Sequence, residues 1–321
     1  MGFERDLEQL ILGIKAGAGP ASYDALAEFL IPHTQYFLLG VGLSKRSADE
    51  RIGELILDLC SRASRAEPPY TDWFRAELLH SIDYDLQMLT ELRDRIFKHV
   101  TESPLSGLDV HFELRPMQRV SGDVVAVYSQ TGRALFALGD ACGKGQPAAL
   151  VSALSVGLME MIVRDTMEPS ELVRRLNDAL RTFRLLPMFL TMVVTSWNAS
   201  LRKLTFVNGG STCMPLVVRE RSVVPLHVDG PPLGLPYPAD HESVTHAAES
   251  VDIVVVYSDG LTDQRNASGE TYDTGRVADV ICHCMGSNAQ QIAGCLLVDL
   301  DEFTNQRAQD DDQSLIVIRV E

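Results

Sequence analysis

An α+β chain is predicted, with an all-α helical domain followed by a β-sandwich flanked by helices. Two observations predict it. The hydrophobic period changes from helical to two near residues 101–110. After that change strands follow strands and the helices come in groups, an order that favours packed layers over a doubly wound sheet. With 321 residues, 45% of them hydrophobic and 22% charged, the chain is long enough for two domains with full cores.

Leu7, Leu10, Ile11 and Ile14 recur at helical spacing. The stretches "YDALAEFLIPHTQYFLLGVGL" and "ADERIGELILDLCSRA" continue that period. "TDWFRAELLHSIDYDLQMLTELRDRIFKHV" (71–100) reads as one long amphipathic helix, capped by Thr71 and favoured by the charge of Asp72. Pro104 and Gly107 then break the pattern, giving a helical domain over 1–100, a linker over 101–110 and a β-rich domain over 111–321. In the last of these, "DVVAVYS", the turn "QTGR" and "ALFAL" form a hairpin; "FLTMVVTSW", "KLTFVN", "PLVV", "DIVVVYS" and "SLIVIRV" are further strands. "QPAALVSALSVGLMEMIVRD", "EPSELVRRLNDALRTF" and "NAQQIAGCLLVDLDEFT" are helical, the first two opened by Pro147 and Pro169.

Charge narrows the classes of function. The 28 Lys and Arg against 44 Asp and Glu leave a formal net charge of -16, which disfavours a nucleic-acid ligand and makes cation binding easier. The six cysteines are scattered, and Cys282-His283-Cys284 lacks the spacing of a zinc site, so buried thiols in a reducing cytoplasm are expected. No run approaches the ~18 apolar residues of a membrane span, and "MGFERDLEQL" has no signal-peptide core.

"ALGDACGKGQPAAL" (137–150) invites a nucleotide reading, but the spacing does not match. A Walker loop would need Gly and Ser or Thr where Leu138 and Gly145 stand, and the dinucleotide fingerprint is met only in relaxed form. The acid in this stretch belongs to a wider pattern of Asp beside an apolar strand: Asp123, Asp140, Asp259 and the run Asp310, Asp311, Asp312. Carboxylates gathered at strand ends repel one another at a cost of several kcal/mol unless a cation neutralises them. All-oxygen ligation suits Mg²⁺ or Mn²⁺.

Taken together, "GDACGKGQPAAL", "YSDGLTDQRNASGE", "GPPLGL" and the terminal "DDQSLIVIR" resemble, in order and spacing, the SpoIIE/RsbU branch of the metal-dependent protein phosphatases of the protein phosphatase 2C fold, over roughly 108–321. The resemblance implies two Mn²⁺ or Mg²⁺ ions and hydrolysis of phosphoserine or phosphothreonine in a protein. It also implies that Asp140 and Asp259 are the central catalytic acids. Asp140 would bridge the metals, the Ala141 carbonyl would add a ligand, Asp259 and Asp311 would complete the cage, and Asp123 would hold a water there. Gly143 and Gly260 would let the backbone come close. Lys144 and Arg119 are the candidate phosphate contacts, with Arg265 a further one. The branch implies a phosphorylated STAS-domain anti-sigma-factor antagonist as substrate and a helical domain that meets an upstream activator or anti-sigma protein and can form a homodimer.

Two positions depart from the pattern: Ala126 stands where a second acid is usual, and Ser211 where His is common. They motivate the competing reading of a pseudophosphatase that works as a binding module. Residues 21–63 and 70–86 also faintly resemble the core helical region of sigma factors. Residues 1–100 carry 11 Lys and Arg against 16 Asp and Glu, a balance that argues against promoter binding and leaves helical packing as the plainer role.

Overall fold

The computed structural model describes residues 2–17, 20–40, 45–66, 73–74, 105–117, 120–185, 187–237, 239–305 and 307–321. The helix expected over 71–100 lies outside these, except for Trp73 and Phe74, and so does its cap Thr71. The chain separates into two compact units, Met1–Met88 and Leu89–Glu321.

The first unit holds α1 (Gly2–Lys15), α2 (Pro20–Gly40), α3 (Lys45–Arg62) and a short 3₁₀ turn at Ala63–Arg65. Leu7, Ile11 and Ile14 form one stripe of α1, buried in a cluster with Leu26 and Leu30 of α2 and Leu55, Ile56 and Leu59 of α3. Pro32 lies inside α2, where it removes the N–H that would bond the Glu28 carbonyl.

The second unit runs β1 (Leu108–Arg115), β2 (Asp123–Gln130), β3 (Arg133–Ala141), α4 (Gln146–Val163), α5 (Pro169–Phe183), β4 (Leu190–Asn198), β5 (Lys203–Gly209), β6 (Leu216–Arg219), β7 (Ser222–Pro225), β8 (Ser243–Ala247), β9 (Ile253–Tyr257), the single turn α6 (Asp259–Thr262), α7 (Asp273–Cys284), α8 (Ala289–Thr304) and β10 (Gln313–Val320). The strands make two five-stranded antiparallel sheets, ordered β1-β10-β9-β6-β7 and β2-β3-β4-β5-β8.

Side-chain alternation builds the layers. Val125, Val127, Phe136, Leu138 and Phe206 of one sheet meet Val254, Val256, Ile316 and Ile318 of the other between the sheets. The alternate residues Val124, Ala126, Leu135 and Ala137 face outward under α4 and α5, packed with Val151, Met159, Leu172 and Leu176. On the opposite outer face Ile253, Val255, Leu315 and Val317 pack under α7 and α8 with Val277, Ile281, Ile292 and Leu296. The result is four layers, helix–sheet–sheet–helix, as the sequence predicts. Among the described residues no helix is long and apolar enough to cross a membrane.

Three strands escape the sequence reading, β1, β7 and β8, and all lie at sheet edges. Edge strands are covered on fewer sides, so their alternation is faint; β8 runs exposed, half-buried, exposed along its length. β1 begins at Leu108, so the segment read as a linker ends earlier than residue 110 and gives its last three residues to a strand.

The layer assignment also accounts for Ala126. Its side chain is 1% exposed and sits under the helices, on the sheet face opposite to the one that carries Asp123. Ala126→Asp would bury a carboxylate among apolar side chains, so we expect a loss of at least about 3 kcal/mol, read as a lower urea midpoint. Wild-type stability with altered cation affinity would instead place this position at the acid cluster.

Candidate metal centre

The acids meet at one end of the sandwich because of strand register. Asp123 opens β2 directly opposite Asp140 near the end of β3, both on the inward face shared with Val125 and Leu138. In the other sheet β9 ends beside the start of β10, with Tyr257 opposite Leu315. Asp259 therefore follows one strand and Asp310, Asp311 and Asp312 precede its neighbour.

Hydrogen bonds fix the two sheets to each other here. Ser314 Oγ in β10 donates to Asp123 Oδ2 at 2.6 Å. Ser258 N donates to the Ser314 carbonyl at 2.9 Å, and Ser314 N donates to Ser258 Oγ at 3.0 Å. Asp312, 9% exposed, gathers the segment before β2: it accepts from Met117 N at 2.7 Å, Ser121 Oγ at 2.8 Å and Gly122 N at 2.7 Å. Ser121 Oγ in turn accepts from Asp123 N at 3.0 Å.

Glycines set the approach distances. A methyl group on Gly122 would lie 3.1 Å from Asp140 Oδ1 and 3.2 Å from Ala148 Cβ. A methyl on Gly260 would fall on the Asp312 carbonyl oxygen, so α6 and the start of β10 touch backbone to backbone only because no Cβ intervenes. In the turn after β3, Gly143 and Gly145 take φ of 102° and 73°, a region that L side chains avoid.

The electrostatics are those of crowded negative charge. Burial above all, then the charges of Asp259, Asp311 and Asp312, push the Asp140 carboxyl up to about 7, with Lys144 opposing. Burial also drives Asp123 well above the usual carboxylate range, a rise that the Ser314 hydrogen bond reduces and Asp140 and Asp312 increase. Asp259 is raised by burial, then by Asp311 and Asp263.

Lys144, expected at phosphate, is placed against an acid. Its Nζ lies 2.8 Å from Asp311 Oδ2 and donates to the Asp310 carbonyl at 3.0 Å. Among the described residues no three His, Cys, Asp or Glu side chains stand together so as to enclose an ion as they are: Asp311 is turned to Lys144, and Asp312 to the loop. The donor set fits a hard dication all the same, since it is all carboxylate and carbonyl oxygen with no imidazole, and the crowding that raises Asp140 and Asp259 is what a bound cation would relieve.

The remaining candidates are distributed as follows. Ala141 is fully buried at the end of β3 and its N–H donates to the Gly122 carbonyl at 3.1 Å. Arg119 lies outside the described residues. Asp310 accepts from Arg307 Nη2 at 3.2 Å. Ser211 belongs to a turn, its N–H donating to Asn208 Oδ1 at 2.7 Å and its hydroxyl accepting from Cys213 N at 3.2 Å. The sequence reading places Asp312 in the acid run without giving it a role, and passes over Ser314 and Gly122. Their signals were the second acid and the serine of "DDQS" and the glycine of "SGD".

Residues 130–321 match the family model described as Stage II sporulation protein E (SpoIIE), a span that contains Asp140, Asp259 and Asp311 and begins after Asp123. The phosphoserine phosphatase RsbU of Bacillus subtilis (strain 168) is 26% identical over 217 residues, 66% of this chain. The chain spans 63% of the length of that relative. Among solved structures, the SiaA-PP2C domain of Pseudomonas aeruginosa superposes with a TM-score of 0.66 at 18% identity, covering 77% of this chain and 98% of that one. RsbX in complex with magnesium gives 0.51 at 16% identity, covering 68% and 98%. These two likenesses bear on the fold, which is that of the PP2C domains. With the family match covering more than half of its length, the chain belongs to the SpoIIE family.

Proposed function

We propose that the chain is a Mn²⁺- or Mg²⁺-dependent protein serine/threonine phosphatase. The observation that carries the proposal is the convergence of Asp123, Asp140, Asp259 and Asp311 on one end of the sandwich, with Asp140 raised to about 7. Two divalent cations, when bound, supply Lewis-acid activation of a water and neutralise the phosphate oxygens for in-line displacement.

The chain's own residues do the rest. Asp140 and the Ala141 carbonyl, with Asp259 and Asp311, hold the cations. Asp123, fixed by Ser314 Oγ, orients a water at the floor of the site. Lys144 releases Asp311 as that carboxylate turns inward and is then free, with Arg119, to meet the phosphate. Membership of the SpoIIE family and the RsbU likeness support a phosphorylated STAS-domain anti-sigma-factor antagonist as substrate in a partner-switching pathway of the cytoplasm. A division between a helical part over 1–100 and a catalytic domain that opens with β1 at Leu108 then separates an input module from the phosphatase. The input module would receive an upstream activator or anti-sigma protein and offer a surface for a homodimer.

The Asp311–Lys144 pair supports a second reading, a pseudophosphatase that signals by binding through its helical unit. Phosphate release from a phosphoserine protein separates the two. The first reading expects release at millimolar Mn²⁺ that chelation abolishes and Asp259→Asn lowers by at least ~100-fold. Wild-type protein inert at millimolar Mn²⁺, or an unimpaired variant, would contradict it.

A further inference from the structure

Beside the acid cluster lies a cleft of ≈ 390 Å³ with Asp259 in its wall. That volume falls in the range of roughly 300–1,000 Å³ found for ligand sites. Tyr257 and Cys213, 2% and 8% exposed, lie beneath it. Met214 and Pro225 add apolar lining, and Asp263 and Asp273 extend its charge away from Asp259. Among the described residues no lysine, arginine or histidine lines it.

One side of the cleft is built firmly. Asn266 N donates to the Glu270 carbonyl at 3.0 Å and Tyr272 N to the Gln264 carbonyl at 2.9 Å, so the hairpin that presents Thr271 is closed by its own backbone. Asp273 Oδ1 accepts from Arg276 N at 3.0 Å, which fixes that carboxylate at the start of α7. The Asp263 backbone N–H donates to the Asp259 carbonyl at 2.7 Å, while its carboxylate has no hydrogen-bond or ion-pair partner among the described residues.

We propose that this cleft is a specificity subsite for a lysine or arginine side chain next to the phosphorylated residue of the substrate. The proposal rests on the phosphatase reading above, because Asp259 is shared by the cleft and the acid cluster. A phosphoserine held over the cluster would leave an adjacent side chain at the mouth of the cleft. A long basic side chain matches both parts of the lining: its methylenes cover Tyr257, Met214 and Pro225, and its charged head reaches Asp263 and Asp273. Like charge in the lining repels an acidic neighbour, so the same carboxylates select against the wrong substrate.

The test uses two labelled peptides identical except for lysine or norleucine on each side of phosphoserine, and their phosphonate analogues that cannot be hydrolysed. In fluorescence anisotropy with Mn²⁺, the lysine phosphonate is expected to bind at least tenfold more tightly. Asp273→Asn, which keeps an oxygen to cap α7, and Asp263→Asn are each expected to reduce that ratio at least threefold. In turnover of the phosphoserine pair the preference should fall in KM. Equal binding of the two phosphonates, or a ratio unmoved in both variants, overturns the subsite. Selective binding without turnover of either phosphoserine peptide would uphold the subsite and overturn the phosphatase reading instead.

Discussion

Asp140→Asn is expected to lower phosphoserine hydrolysis by at least ~100-fold while making the metal-free protein more stable at pH 8. Both effects have one origin. Asp140 is largely buried and faces Asp259, Asp311 and Asp312, and its carboxyl is raised to about 7. A carboxyl raised on folding favours the native state only while protonated, so its contribution is complete below the unfolded value near 4 and is lost as pH climbs through 7. Above that the charge opposes folding by something on the order of 1–3 kcal/mol. Asparagine keeps the shape and removes the charge. Melting curves at pH 5 and pH 8 check this: the variant should gain at pH 8 and gain much less at pH 5. Saturating Mn²⁺ should raise the melting temperature of the wild type and leave the variant little changed, because a ligand stabilises only the state that binds it. A variant less stable than wild type at pH 8 would show that the site is not strained by its own charge.

Asp312→Ala is expected to cost ~4 kcal/mol or more, because it leaves Met117 N, Ser121 Oγ and Gly122 N without their acceptor in a buried setting, each at about 1–3 kcal/mol. The damage is local in origin and wide in effect. Those donors hold the segment that delivers Asp123 to the start of β2, so the variant should lose activity as well as urea stability. Asp312→Asn, with one carbonyl oxygen left, should fall between wild type and alanine in both. An alanine variant with the wild-type midpoint would mean that the clamp contributes nothing.

How much of this was legible beforehand differs with the physics of each feature. The β2–β3 hairpin and the central strands were readable because their residues alternate between two buried faces, and a period of two survives in the bare sequence. Three of the edge strands, β1, β7 and β8, were not; β7 and β8 bury too little to leave a pattern. The acids were readable as a group: Asp123, Asp140, Asp259 and Asp311 each abut an apolar strand, and the fold brings those strand ends together. Their division of labour was not. Asp311 and Asp312 are neighbours of the same type, and only the donors Met117 N, Ser121 Oγ and Gly122 N make one a half-exposed partner of Lys144 and the other a buried clamp. Lys144 sits between two glycines in a loop whose direction no local propensity fixes, so a phosphate contact and an ion pair read alike. Ala126 reads as a missing acid in the motif and as ordinary helix-facing core in the fold.

The central claim is that the clustered carboxylates exist to hold divalent cations. Calorimetric titration of the full chain with Mn²⁺ tests it most directly, with Asp140→Asn alongside. The account predicts saturable binding of two ions to the wild type and loss of at least one of them in the variant. Absence of binding at millimolar Mn²⁺, or identical isotherms for the two proteins, would contradict it.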